Sequence, residues 1–440
     1  MSISIKAPAS KSVSHRAVIA AALAPGPSIL TNVLDSEDLG CTIKCLQSLG
    51  AKIEGSSPGT LTVSGIDPRS AGQGELLSLD VGESGTTCRL ITPVAALGER
   101  PCRIFGRGRM HQRPIQELTQ ALMDQGCELQ FEDLPGCPPF VLTPHGLSGG
   151  QVNITLEQSS QYLSGLLLAA PSARSQLTIN VTGQTVLSWP YVALTLQVMQ
   201  AFGRPVQVQT RTDTGEWRDT DWTELVEIVP GRTRFIVSQG TYIPGPFQVE
   251  GDWSNASYFL AAGLLHPQGV TVSGLDPDSR QGDRQFLDII TSMGAAPQIR
   301  DREITTFPTD LTGLTTDMGS CPDLVPTVAV LAALAQSPTR IDNVAHLRLK
   351  ESDRAQAMAT ELERIGTRVD LHADGLSIYP QPLPRGESIR FCTYGDHRVA
   401  MSLSLFEQAG IMVHLDQPAC VAKSFPQFWD TWKAVQEGIQ

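Results

Sequence analysis

Several short stretches place charged and hydroxyl side chains where an apolar helix is about to begin. Ser10-Lys-Ser-Val-Ser-His-Arg sets Lys11 and Arg16 around a helix that Ser12 or Ser14 can cap. Free N–H groups at a helix N-terminus together with two cations make an anion site. Gly82-Glu-Ser-Gly-Thr-Thr-Cys-Arg combines a turn around Gly85 that lets a ligand approach the backbone with Arg89 at the next helix start, and Arg107, Arg109 and Arg113 follow in a Gly-rich loop. Ser159, Ser160 and Gln161 precede a third apolar run, with hydroxyl and amide groups suited to phosphate or sugar hydroxyls. Asp323 is a single acid beside a fourth, a candidate base whose pKa burial can tune. His346 to Arg354 packs Lys350, Glu351 and Arg354 around a helix start that Ser352 or Asp353 caps. Asp396, His397 and Arg398 open another helix, and Lys423 precedes the last. Asp396 with His397 could suggest a metal, but no second His or Cys stands at ligand spacing, so neither metal nor cofactor is expected.

The elements behind these stretches recur. Starts near Lys11, Ser84, Ser159, Asp252, Pro322 and Asp396 lie about 73 residues apart, with one outsized interval between the third and fourth. Each leads through an apolar helix and a connection to a second helix, and five second helices close on Gly50, Gly126, Gly203, Gly294 or Gly366 ahead of a strand. The spacing predicts an α/β fold of two similar domains with three units each around a pseudo-threefold axis. The surplus of the long interval falls near Arg204–Pro246, which puts the junction after it: one domain over residues 10–248, the other over 249–440. Helices that point the same way would bring Lys11, Arg16, Arg113, Lys350, Arg354, Arg398 and Lys423 to one cleft between the domains.

The 440 residues carry 33 Lys and Arg against 45 Asp and Glu, a net charge of -12, which argues against broad binding to nucleic acid or to an anionic membrane. An anionic ligand must then meet a local cationic pocket. Nine cysteines without a C-x-x-C pair suggest reduced, buried thiols and a reducing compartment. The first residues alternate like a strand and lack the features of a secretion or transit signal. A cytoplasmic, soluble monomer acting on small molecules is expected.

Ser10-Lys-Ser-Val-Ser-His-Arg-Ala, Gly85-Thr-Thr-Cys-Arg, Arg109-Met-His-Gln-Arg-Pro-Ile, Ser159-Ser-Gln-Tyr-Leu, Lys350-Glu-Ser-Asp-Arg and Gly395-Asp-His-Arg-Val-Ala-Met resemble, in order and over nearly the whole chain, the 5-enolpyruvylshikimate-3-phosphate synthase (3-phosphoshikimate 1-carboxyvinyltransferase) family of enolpyruvyl transferases. The resemblance implies two domains of three βαβαββ units, a chain that crosses twice between them so that residues 1–9 join the C-terminal domain, and an active site in the interdomain cleft. It implies transfer of the enolpyruvyl group of phosphoenolpyruvate to the 5-hydroxyl of shikimate 3-phosphate, with release of phosphate, on the route to chorismate and the aromatic amino acids. Lys11, Ser12, Arg16, Ser159, Ser160, Gln161, Ser188, Tyr191, Asp323, His346 and Lys350 then match the shikimate 3-phosphate site. Lys11, Gly85, Arg113, Gln161, Arg354, Arg398 and Lys423 match the phosphoenolpyruvate site. Asp323 would accept the hydroxyl proton, with Glu351 and Lys11 as further proton-transfer groups. His346 stands where many relatives carry Asn.

Three alternatives share related architecture. The sister transferase acting on UDP-N-acetylglucosamine expects a Lys-Asn pair near the start and a reactive Cys in a mobile loop, whereas this chain has Lys11-Ser12 and no Cys from Gly106 to Arg113. RNA 3′-phosphate cyclases need a catalytic His and a basic surface. A non-catalytic binding protein of the same fold would have no use for Lys11, Asp323, Glu351 and Lys423 together.

Overall fold

The computed structural model describes residues 2–67 and 74–438. Internal contacts gather the chain into two compact units, Lys11–Val249 and Met1–Ser10 with Glu250–Gln440. The chain therefore passes from one unit to the other twice.

In the Lys11–Val249 unit, Pro27–Thr31 pairs parallel with Pro246–Gln248 and antiparallel with Thr60–Ser64, which pairs antiparallel with Lys52–Ser57. Its helices are α1 (Lys11–Ala22) and α2 (Glu37–Ser48). Leu77–Asp80, Cys102–Phe105, Phe140–Thr143 and Glu128–Phe131 repeat the scheme, with α3 (Gly85–Ala95) and α4 (Gln116–Asp124). Gly150–Leu156, Leu177–Val186, Thr233–Val237 and Gln207–Arg211 repeat it again, with α5 (Gln161–Ala169) and α6 (Trp189–Ala201). This third sheet gains a fifth strand, Trp217–Thr220, paired antiparallel with Gln207–Arg211. The added strand accounts for much of the long interval in the sequence repeat.

The other unit begins with Ile3–Lys6, which pairs parallel with Val270–Ser273; Glu303–Thr306 and Gln298–Arg300 complete that sheet, with α7 (Trp253–Gly263) and α8 (Phe286–Ser292). Thr315–Asp317, Thr339–Asp342, Leu376–Tyr379 and Arg368–Leu371 form the next, with α9 (Val325–Ala333) and α10 (Arg354–Arg364). The last sheet departs from the expected βαβαββ scheme. It holds the parallel pair Ser388–Phe391 and Met412–Leu415, with α11 (His397–Leu403) and α12 (Phe428–Glu437), and the described chain ends soon after α12.

The two helices of each repeat do different work. Every residue of α7, α9 and α11 is buried, and in α1, α3 and α5 only Lys11, Ser12, Thr86 and Gln161 are not. A helix that is apolar all round belongs in a core. In α1, α3 and α5 the first turn is the part that is not buried. The second helices bury one stripe, as α12 does with Phe428, Trp432 and Val435. Gly50, Gly126, Gly203, Gly294 and Gly366 follow second helices with φ between +71° and +108°, a region that costs other residues energy. Gly438, at +65°, does the same after α12. The sequence periodicity marked only the five glycines that lie ahead of a strand, not this one. Among the described residues no helix is long and apolar enough to cross a membrane.

The contact between α3 and α5 depends on Gly165. A Cβ there would overlap the Arg89 carbonyl oxygen and press on the Pro93 ring. Pro93, inside α3, has no N–H to offer that carbonyl four residues earlier. Gly165→Ala should cost about 1–3 kcal/mol through overpacking, read as a lower urea midpoint; an unchanged midpoint would show that the two helices can part without penalty.

Candidate active site

In the Lys11–Val249 unit the starts of α1, α2, α3 and α5 meet. Lys11 opens α1, so the helix begins earlier than a Ser12 or Ser14 cap implies, and the Ser14 hydroxyl instead accepts from Leu34 N at 3.1 Å. Lys11 Nζ lies 3.2 Å from Asp38 Oδ2, with both side chains partly open to solvent. Asp38 stands in the first turn of α2, where Ser36 caps the helix by accepting from Leu39 N. A chain of polar contacts runs beneath. His15 Nδ1 is 2.8 Å from Thr42 Oγ1, which is 2.8 Å from Thr87 Oγ1, and the Thr87 hydroxyl lies within 3.1 Å of both Ser84 Oγ and Asp38 O. Burial, then the charges of Lys11 and Arg16, hold His15 well below its ordinary pKa, so it is neutral.

Arg16 differs from the expectation of a helix-start cation facing an anion. It is 1% exposed, and its guanidinium donates to Thr195 Oγ1 (2.8 Å), Ser12 O (2.8 Å), Tyr191 O (2.9 Å) and Ser164 Oγ (3.2 Å). It clamps α1 to α5 and α6. Burial lowers its pKa to about 10, still charged at neutral pH.

Gly85 begins α3, and Ser84 caps it by accepting from Thr87 N at 3.1 Å. The Arg113 guanidinium lies so close to Gly85 that any Cβ there would collide with it; Arg113 also donates to Glu83 O at 3.2 Å. Gln161 opens α5. Its Oε1 accepts from Arg89 at 3.0 Å and its Nε2 donates to Thr86 Oγ1 at 2.9 Å, so the arginine, which can only donate, fixes which end of the amide is which. Ser159 supplies the local cap to Gln161 N, while Ser160 is buried and makes no side-chain capping bond. Ser188 precedes α6 with φ +54°, a left-handed conformation uncommon for serine, and Tyr191 sits partly buried in the first turn.

In the other unit the approaches to α9, α10 and α11 meet. Asp323, in a short turn before α9, takes Arg354 Nη1 at 2.8 Å and Arg398 Nη2 at 2.7 Å. Arg354 also reaches the fully buried Asp396 through Nε at 2.8 Å and Nη2 at 3.3 Å, and Ser352 donates to Asp396 at 3.0 Å. Ser352 is thus turned inward, and Asp353 is the α10 cap, accepting from Gln356 N at 3.1 Å. Burial acts to discharge Arg354, but Asp396 and Asp323 outweigh it and hold the guanidinium above its ordinary pKa. Burial likewise pushes the Asp396 carboxyl up, and Arg354 brings it below the usual range.

Glu351 Oε2 is 2.9 Å from His397 Nδ1, and Lys423 Nζ donates to Gly395 O at 2.9 Å. Lys350 follows the turn Ala345–Leu349 and is partly exposed. His346, in that turn, is buried, and burial followed by Lys350 lowers its pKa to about 3, so its ring is neutral; Nε2 has no hydrogen-bond partner among the described residues.

Sequence reasoning noted Arg89 and Asp396 without giving them a task, and it passed over Asp38, which opens a second helix with no cluster around it. Glu351, Asp396 and His397 present ligand atoms within 4.8 Å of one another, a grouping that segment spacing hid. Both Asp396 oxygens are already committed to Arg354, and two guanidiniums border the group, so the charge there opposes a cation.

The profile of the EPSP synthase (3-phosphoshikimate 1-carboxyvinyltransferase) family matches residues 1–432. The chain belongs to the EPSP synthase family. Relatives named 3-phosphoshikimate 1-carboxyvinyltransferase include one from Aeromonas salmonicida, 37% identical over 437 residues and covering 99% of this chain and 96% of that protein. Another, from Methanospirillum hungatei, is 37% identical over 435 residues, covering 98% and 95%. The EPSP synthase of Acinetobacter baumannii superposes with a TM-score of 0.75 at 25% identity, over 98% of this chain and 95% of that one. The enolpyruvyl transferase NikO from Streptomyces tendae shares the fold, with a TM-score of 0.71 at 18% identity over 98% and 94%.

The buried, neutral His346 of this family member carries a pH signature. Its folded pKa lies below the unfolded value of about 6.5, so the unfolded chain binds the proton better and stability falls as pH drops below that value. His346→Asn should gain about 1–2 kcal/mol on the wild type between pH 8 and pH 5, measured by urea unfolding at both; an equal difference at both values would mean the imidazole titrates normally.

Proposed function

We infer that this protein transfers the enolpyruvyl (1-carboxyvinyl) group of phosphoenolpyruvate to the 5-hydroxyl of shikimate 3-phosphate and releases phosphate, in the shikimate pathway to chorismate and the aromatic amino acids. Family membership over almost the whole chain supports the reading. The observation that carries it into chemistry is Asp323, a carboxylate held by two arginines at the approach to buried helices.

Both substrates are anions. Two unit charges about 4 Å apart repel by about 4 kcal/mol at an effective dielectric of about 20, so fixed cations must offset the cost of bringing them together. Lys11, Ser12, Ser159, Ser160, Gln161, Ser188, Asp323, His346 and Lys350 serve shikimate 3-phosphate. Tyr191 packs on its ring, and Arg16 holds α1 in place behind them. Lys11, Gly85, Arg113 and Gln161, with Arg354, Arg398 and Lys423, serve phosphoenolpyruvate. A neutral His346 contributes a hydrogen bond and no charge.

Asp323 accepts the proton of the 5-hydroxyl as that oxygen bonds to the central carbon of phosphoenolpyruvate. A proton delivered to the methylene carbon makes the central carbon electrophilic; Glu351, paired with His397, and Lys11 are the groups for this transfer. The tetrahedral adduct then expels phosphate while the group that protonated the methylene carbon takes a proton back from the methyl, restoring the double bond. The arginines and lysines bear the charge that develops on carboxylate and phosphate without having to reorganise.

Phosphate release that requires both substrates tests the reaction; no release from the pair would overturn it. Arg113→Ala should weaken phosphoenolpyruvate binding by at least about 1.5 kcal/mol, the low end for a charge-assisted hydrogen bond, and an unaltered dissociation constant would remove Arg113 from that site. Asp323→Asn should reduce turnover far more than it weakens binding of either substrate. Retained turnover would take the proton-accepting role away from Asp323.

A further inference from the structure

Asp283 lies in the short turn Gly282–Gln285 ahead of α8, outside every segment assigned to the reaction so far. It is 3% exposed. The Ser254 hydroxyl donates to its Oδ2 in a short contact, and its Oδ1 has no hydrogen-bond partner among the described residues. A carboxyl kept only for packing would be expected to have both oxygens satisfied. The turn that carries Asp283 is tied to the segment that carries Asp323, since Ser320 donates to Gln285 Oε1 at 2.7 Å.

We propose that Asp283 is a positioning residue for Asp323, its charge setting how readily the Asp323 carboxylate takes the proton of the substrate hydroxyl. The proposal rests on the reading of Asp323 given above. Asp323 is bordered by Arg354 and Arg398, which weaken it as a base. A negative charge on Asp283 counters them, and a neutral Asp283 does not. Burial first, then Asp323, push the Asp283 carboxyl up to about 7, opposed by Arg398 on α11 and the Ser254 bond, with Asp252 at the α7 cap adding to the rise. The nearby Cys321 thiol is itself pushed up, by burial and then by Asp283, and stays neutral. Asp283 therefore changes charge near neutral pH, and ionisation makes Asp323 the stronger base.

The experiment follows phosphate release against pH from 5.5 to 9 with both substrates saturating. The wild type should show kcat rising through a limb near pH 7. Asp283→Asn keeps the size and polarity of the side chain, and it should abolish the limb and lower kcat at pH 8.5 by about three- to tenfold, with KM for each substrate within about twofold. Ser254→Ala, which removes the one donor to the carboxylate among the described residues, should move the limb to higher pH. A limb that survives Asp283→Asn, or losses equal at every pH in both variants, would overturn the proposal while leaving the reaction in place. A wild type that releases no phosphate would instead defeat the functional reading on which it rests.

Discussion

A helix that is apolar all round can show polar chemistry at one place, the turn where its N–H groups are still free. The inner helices of this protein are built under that constraint. In α1, α3 and α5 the residues that escape burial are Lys11, Ser12, Thr86 and Gln161, all in first turns. Burial of the helix bodies is what holds those turns, so the groups they carry are attached to packed elements and need little reorganisation to act.

Charge is handled by pairing at short range. The chain is acidic overall, yet cations cluster at the helix starts of each unit and are kept in register by specific carboxylates: Lys11 by Asp38 in one, Arg354 by Asp396 and Asp323 and Arg398 by Asp323 in the other. Taking such ions out of water is costly, and truncating one partner of a buried pair leaves the other uncompensated. The return is geometric. Arg354, forked between Asp396 and Asp323, joins the starts of α10 and α11 to the turn before α9, three segments that hydrophobic packing alone would place less closely. Glu351 with His397 and Lys423 with the Gly395 carbonyl extend the same lattice. On the other unit a neutral network does the equivalent work, through His15, Thr42, Thr87 and Ser84.

The repeat explains how one chain builds these tips so many times. Each sheet holds a parallel pair, in four of the six bridged directly by an inner helix, and a left-handed glycine follows each outer helix. Its variations are local: a fifth strand at Trp217–Thr220, and a last repeat with only its parallel pair. Ile3–Lys6 supplies the first strand of the unit formed otherwise by Glu250–Gln440, and Pro246–Gln248 closes a sheet begun at Pro27.

Much of this was legible along the chain. Gly punctuation, the even phase of the apolar runs and the clustering of Lys, Arg, Asp and Ser at their starts are local properties, set by backbone sterics and by the preference of anions and caps for helix N-termini. They determined the α/β repeat and the segments that carry the chemistry, and the ordered motifs pointed to the family. What they left open was decided by residues remote in sequence. Arg16 looks like a free helix-start cation until Thr195, Ser164 and Tyr191 are folded against it. Ser352 and Asp353 are interchangeable caps on paper, and only the approach of Asp396 turns Ser352 inward. Asp38 and Asp283 carry no local signal at all. Their meaning comes from burial and from the sign of the charge opposite, and both are sums over atoms that only tertiary structure brings within a few ångströms.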